Sequence, residues 1–321
     1  MINLGILGCS EIAFRRFMPA VLNVSGITVK AVAEEYAPEK LTEFCETYQL
    51  EAEKDFLSLI EREDIDAVYV PQPPALHHKW AKIALEHGKH VLIEKPSTIS
   101  YEQSRELVEL AKENNLALHE NYMFQYHSQI AGVQKLVSDG AVGDVRLIRA
   151  DFGFPMRAQN DFRYNAALGG GALLDAGGYT AKLATLFLGE TVKVDCAKLN
   201  YMDGFEVDMY GNATLSNEAG QVCQLAFGMD NSYRCSLEVW GSTGRITTNR
   251  IFTAPPGFEP MVTLETPEGT KAISLEADSH FEHSIEEFVK EVSDQKVRAA
   301  MYQQILVQAQ LVEDIRKLGA K

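Results

Sequence analysis

Five cysteines in 321 residues are too few and too scattered for a disulfide framework. Cys9, Cys45, Cys196, Cys223 and Cys235 include no pair at zinc or redox-motif spacing, which predicts a reducing, cytoplasmic setting and no metal. Long apolar runs are missing, since none approaches the ~18 residues of a membrane span. Positive charge is in deficit, with 30 Lys+Arg against 45 Asp+Glu and a net charge of −15. Such a chain repels nucleic-acid phosphates and anionic membrane surfaces, so neither is an expected partner. The opening stretch Met1–Gly8 lacks the basic flank of a signal peptide. Repeats and low-complexity segments are absent. What is present is ordinary: 46% hydrophobic and 23% charged residues, in a chain long enough for about two domains.

The first third alternates short apolar runs with helical patterns. Ile2–Leu7, Ile27–Ala33, Ala67–Val70, His90–Ile93 and Leu116–Leu118 are continuous runs, as in strands buried on both faces of a parallel sheet. Ile12–Leu22 and His78–His87 read as helices, the second stopped by Gly88. Ser100–Gln103 is a capping box before Leu107, Leu110 and Ala111. Repeated strand–helix units predict a doubly wound, Rossmann-type sheet over residues 1–120.

Residues 121–321 read as a second, α+β domain with a mostly antiparallel sheet. Gly169–Gly171 precedes a helical stretch, Ala172–Leu188. Alternating segments follow at Val192–Leu199, Val207–Leu215, Val222–Met229, Tyr233–Trp240, Gly244–Arg250 and Met261–Leu264, separated by Gly-, Ser- and Asn-rich turns. Apolar stripes through Phe281–Val292 and Met301–Leu318 predict two closing helices.

Between the first run and the first helix lies Gly8-Cys9-Ser10-Glu11-Ile12-Ala13. A dinucleotide pyrophosphate needs a tight turn of small residues here, so that backbone N–H groups and the positive helix end face it. Gly8, Ser10 and Ala13 occupy the three small positions, with serine replacing the second glycine. The second run ends at Glu34, where a carboxylate holds both ribose hydroxyls of an adenosine and repels a 2′-phosphate. NAD is therefore expected over NADP.

The fourth run ends in Glu94-Lys95-Pro96, at the carboxyl edge where ligands sit in open α/β sheets. Proline restricts the lysine before it to extended backbone. This triplet, the segment Asp66–His77 before it, and Gly169-Gly-Gly-Ala-Leu-Leu-Asp175-Ala-Gly-Gly-Tyr179 after it together resemble the glucose–fructose oxidoreductase / inositol dehydrogenase / rhizopine-catabolism (Gfo/Idh/MocA) family. The resemblance runs by motif from residue 2 to about residue 190. It implies a dinucleotide-binding domain followed by an α+β domain with a large, open sheet. It also implies hydride transfer between nicotinamide and a carbinol or ketone carbon of a sugar, nucleotide-sugar or related diol.

The resemblance makes Lys95 the lysine near the reacting oxygen, with Asp175 and Tyr179 completing the polar site. Many relatives carry histidine where this chain has Tyr179, so it looks like the branch of dihydrodiol dehydrogenase and the sugar 3-ketoreductases. A free phenol with pKa ~10 is a weak base, and a neighbouring ammonium lowers that value, so Lys95 and Tyr179 form a coherent proton-transfer pair. On an α-helix the four-residue spacing puts Asp175 and Tyr179 on one face. Gln72, Pro73, Leu76, His77 and Glu94 are expected along the cofactor, and Asn121 and Tyr122 near the nicotinamide. Arg163 is a candidate fork for a substrate phosphate, and Tyr164 a ring to stack on a sugar. A homodimer or tetramer through the open sheet face is expected. The alternatives are a trans-dihydrodiol dehydrogenase and a non-catalytic regulator; the presence of both Lys95 and Tyr179 argues against the regulator.

Overall fold

A computed structural model describes residues 1–320. The chain divides into two compact units. The first comprises Met1–Asn121 and Phe281–Ala309, the second Tyr122–His280 and the C-terminal segment from Gln310. The second segment of the first unit departs from the simple division at residue 120: residues 281–309 return to the N-terminal sheet.

The first unit begins with β1 (Ile2–Leu7) and a π-helical turn, Ala13–Phe17, that continues as α1 (Met18–Val21). Then come β2 (Ile27–Ala33), α2 (Glu39–Tyr48), β3 (Glu51–Glu53), α3 (Phe56–Glu61), β4 (Ala67–Val70), α4 (Pro74–Glu86), β5 (His90–Glu94), α5 (Tyr101–Glu113) and β6 (Leu118–Asn121). The six strands are parallel in the order β3-β2-β1-β4-β5-β6, and the order reverses beside β1, the switch point where dinucleotides bind. All of β4 is buried, which explains its uninterrupted apolar sequence. Half of the capping box is formed: Ser100 Oγ accepts from the Gln103 N–H, but the Ser100 N–H donates to Thr98 Oγ1 and Gln103 Oε1 has no partner. α2, β3 and α3 were not predicted. β3 reads Glu-Ala-Glu and carries no hydrophobic signal, because it is an exposed edge strand.

The second unit adds α6 (Ser128–Ser138), β7 (Val145–Gly153) and a second π-helical turn, Leu173–Gly177, running into α7 (Gly178–Leu188). Its sheet is completed by β8 (Lys193–Tyr201), β9 (Asp208–Ser216), β10 (Val222–Gly228), β11 (Arg234–Gly241), β12 (Arg245–Asn249), β13 (Met261–Thr266) and β14 (Gly269–Ser274). The order is β14-β13-β12-β11-β7-β10-β9-β8, antiparallel except for the β7–β10 pair. β7 was missed although Ile148, Ala150 and Phe152 are buried in alternation with Arg149 and Asp151. α7 packs on β7 and β10 and covers one face. Two helices close the chain, α8 (His280–Ser293) and α9 (Gln295–Gly319).

Candidate active site

Gly8 has φ +123°, a region closed to side chains, and its N–H donates to the Ala33 carbonyl at 2.9 Å. The chain can therefore turn sharply out of β1. Ser10 Oγ accepts from the Ala13 N–H at 3.2 Å and caps the following helix. Glu11 pairs with Arg15 at the surface (2.6 Å), so its offering to a cofactor is its backbone, as is that of its neighbour Ile12. Burial, and secondarily Glu34, push the Cys9 thiol up to about 12, so it stays protonated.

Glu34 is buried and anchored. Its Oε2 accepts from Cys9 N (2.5 Å), and its Oε1 from Tyr36 N (2.7 Å) and Ala37 N (2.9 Å). Glu35 instead accepts from the Phe56 N–H at the start of α3. Of the two adjacent carboxylates, only Glu34 belongs to the dinucleotide loop. Gln72 Nε2 donates to the Leu7 carbonyl at 2.9 Å, while its buried Oε1 has no partner. An unsatisfied acceptor at this point matches a ribose hydroxyl. The positive-φ turn at Gly8, the fixed carboxylate of Glu34 and the open acceptor of Gln72 fit a nicotinamide dinucleotide.

His77 differs from expectation. It is fully buried, with Nδ1 2.8 Å from the Pro96 carbonyl and Nε2 2.6 Å from the Gln72 carbonyl. The ring sits between the loop after β4 and the loop after β5; neutral, it donates its one N–H to one of the two carbonyls while its other nitrogen faces the second, so neither nitrogen is turned to a cofactor. Pro73 and Leu76 hold the start of α4, the Leu76 N–H donating to the Pro73 carbonyl. Burial pushes the His77 pKa down to about 4, against the contrary pull of the two carbonyls. The unfolded imidazole titrates near 6.5, so acidification protonates the unfolded chain first. His77 thus contributes stability above pH 6.5 that is lost as pH falls towards 4, about 3 kcal/mol at 1.36 kcal/mol per pH unit. Urea titrations at pH 7.5 and 4.5 should show a stability gap that shrinks by that order in His77→Gln; an unchanged gap rejects the assignment.

Glu94 ends β5 with its Oε1 accepting from Tyr69 Oη (2.7 Å) and Asn121 Nδ2 (2.6 Å). Burial raises its pKa, opposed by those two hydrogen bonds and by the Lys95 ammonium. Lys95 is near enough to act electrostatically on both Glu94 and His77. On the other flank, the Ser97 N–H donates to Glu120 at 2.8 Å. The loop bearing Lys95 is therefore held by β6 residues on both sides.

In the second unit, Asp175 lies in the π-helical turn and accepts from Arg163 Nε at 2.7 Å. Arg163 also pairs with Asp161 at 3.1 Å. The guanidinium expected to grip substrate is thus committed to two carboxylates and serves to orient Asp175. The loop approaches closely because residue 170 is glycine: a Cβ there would stand 2.3 Å from the Arg163 carbonyl oxygen. The π turn also changes the phase between Asp175 and Tyr179, so the one-face argument for an α-helix does not apply.

Tyr179 is surrounded by rings: Tyr122 at 5.3 Å, Phe124 at 5.7 Å, Phe152 at 5.3 Å and Phe252 at 5.8 Å between centroids. Its hydroxyl is 3.8 Å from Met123 Sδ. Tyr122 is wholly enclosed, so it packs edge-on against Tyr179 instead of facing a substrate. Tyr164 Oη accepts from the Arg157 N–H (2.7 Å), and its ring meets Phe205 at 5.4 Å.

One unit carries a parallel sheet with its dinucleotide loop and the anchored Glu94–Lys95 turn, the other an anchored Asp175 and a caged phenol, and these are the parts of a nicotinamide-dependent oxidoreductase. Residues 2–122 match the oxidoreductase family with an NAD-binding Rossmann fold, and residues 130–247 the GFO/IDH/MocA C-terminal domain. The chain is 38% identical over 315 residues to dTDP-3,4-didehydro-2,6-dideoxy-alpha-D-glucose 3-reductase of Actinomadura kijaniata, covering 98% of this chain and 95% of that one. A 3-ketoreductase from the same organism, solved with NADP and TDP-benzene, superposes with a TM-score of 0.95, covering 99% of this chain and 97% of the other at 38% identity. Similarity to trans-1,2-dihydrobenzene-1,2-diol dehydrogenase of Xenopus laevis is 34% over 154 residues, 47% of this chain and 46% of that one. The chain belongs to the Gfo/Idh/MocA family and is an NAD(P)-dependent oxidoreductase. Among the described residues no helix is long and apolar enough to cross a membrane.

Proposed function

We propose that this enzyme reduces a ketone on the sugar of a nucleoside-diphosphate sugar, with Tyr179 and Lys95 serving proton transfer. Two observations support this reading, each within its own unit: the anchored Glu94 beside Lys95 at the end of β5, and Tyr179 caged by aromatic rings. Their spacing adds support. The 3-ketoreductase from Actinomadura kijaniata was also solved with one lysine and one tyrosine replaced, and those two residues stand as far apart along that chain as Lys95 and Tyr179 do here.

The bound nicotinamide supplies the hydride. Tyr179 donates the proton to the developing alkoxide, and the Lys95 ammonium stabilises that charge and eases the phenol's ionisation. Asp175, held by Arg163, orients a substrate hydroxyl. Tyr164 and the exposed edge of its pair with Phe205 offer a stacking surface to a base or sugar ring. Nicotinamide absorbance with TDP-linked 3-keto sugars, free ketoses and trans-dihydrodiols tests the substrate class. Turnover confined to the TDP-linked ketones is the expected result; turnover confined to dihydrodiols would replace it.

Glu34 favours NAD(H) for this chain, although the named relative was crystallised with NADP. A 2′-phosphate would face a carboxylate fixed by three N–H donors. The expected kcat/KM favours NADH, and Glu34→Ser should move the ratio towards NADPH by roughly tenfold, the scale of one lost like-charge contact. A wild-type preference for NADPH would overturn this assignment.

The uncovered face of the larger sheet suits a homodimer or tetramer. It carries exposed Trp240 and Tyr210 beside a cross-strand ladder, Arg149–Glu238–Arg245–Glu265. Five unpaired thiols accord with a reducing cytoplasm.

A further inference from the structure

The first unit contains a string of buried polar groups leading from Glu94 to α8. Asn121 Nδ2 donates to Glu94 (2.6 Å), and Ser284 Oγ donates to Asn121 Oδ1 (2.8 Å). His119 Nε2 lies 2.9 Å from Ser284 Oγ, and His119 Nδ1 lies 2.8 Å from Glu291 Oε1. Every residue of the string is buried.

Counting protons gives it a direction. A carboxylate accepts, so the amide must turn its NH2 to Glu94 and its carbonyl to Ser284. The serine's one proton goes to that carbonyl, so Ser284 Oγ can only accept from His119. His119 must then carry a proton on Nε2. The single proton shared by His119 Nδ1 and Glu291 leaves that requirement intact, whether the pair is ionic or neutral.

We propose that Ser284 and His119 are positioning residues for the reduction. They lock the Asn121 amide so that Glu94 always meets a donor, and thereby fix the loop that presents Lys95. A flipped amide would set its carbonyl against the Glu94 carboxylate and push the strand end that carries Lys95. This inference rests on the catalytic role proposed for Lys95, but the string's direction does not.

Two measurements separate the two. Imidazole nitrogen NMR of the wild-type protein should show a proton on His119 Nε2; a neutral ring protonated on Nδ1 alone overturns the string, whatever the enzyme reduces. Ser284→Ala should lower kcat about tenfold, with the ketone KM within twofold, and Ser284→Thr, which keeps the hydroxyl, should recover most of the rate. His119→Gln, which keeps a donor near the Nε2 position, should exceed His119→Met in kcat. If the variants lose thermal stability while kcat per folded site stays at the wild-type value, the string is structural and the proposal fails.

Discussion

Replacing Lys95 by alanine should lower turnover by roughly 10²–10⁴, the range of lost general-acid and charge stabilisation. The loss should fall on kcat and on kcat/KM alike, since the ammonium acts on charge that develops only in the transition state. Its surroundings limit collateral damage. Glu94 is held by Tyr69 and Asn121, Ser97 by Glu120, and the two flanking loops by His77. Truncation at residue 95 therefore leaves the strand end in place. Dinucleotide affinity, read by quenching of protein fluorescence, should stay within a few fold. A variant that kept more than a tenth of wild-type kcat would show that the lysine is a bystander.

Tyr179→Phe should remove the proton donor and leave the ring packing intact, because all four neighbouring rings contact the aromatic body. Turnover is expected to fall by roughly 10² or more, with thermal stability within about 1 kcal/mol of wild type, the scale of one modest hydrogen bond. The hydroxyl's contact with Met123 Sδ is long and weak. Full turnover in this variant would transfer the acid role to Lys95. A large loss of stability would show that the phenol serves packing.

The two effects should not add. If Lys95 eases proton loss from Tyr179, the double variant should be little slower than the worse single one. Independent effects would instead multiply.

Much of the first unit is visible along the sequence because parallel strands are buried on both faces. β4 appears as an unbroken apolar run and β1, β2 and β5 as mostly apolar ones, and the residues after them, Gly8, Glu34, Gln72 and Lys95, follow from strand ends. β3 has no such signal, being a three-residue edge strand of Glu-Ala-Glu. The fate of individual polar groups was harder to foresee. Arg163 looked like a fork awaiting a phosphate, because Asp175 lies 12 positions away and only the folded loop joins them. His77 is three residues past the start of a helix, a place equally suited to a ligand or a clamp; only the converging carbonyls of Gln72 and Pro96 decide. The His119–Ser284 contact spans 165 positions and leaves no periodic trace. In the second unit the π turn at Leu173–Gly177 escaped a reading that assumes 3.6 residues per turn.

The most direct test is a crystal structure of this protein with NAD(P)⁺ and a TDP-linked ligand bound together. The account predicts Lys95 Nζ and Tyr179 Oη both about 3 Å from one ligand oxygen, on the carbon facing nicotinamide C4. A complex in which either atom lies beyond about 5 Å of that oxygen, with the other groups in place, would contradict it.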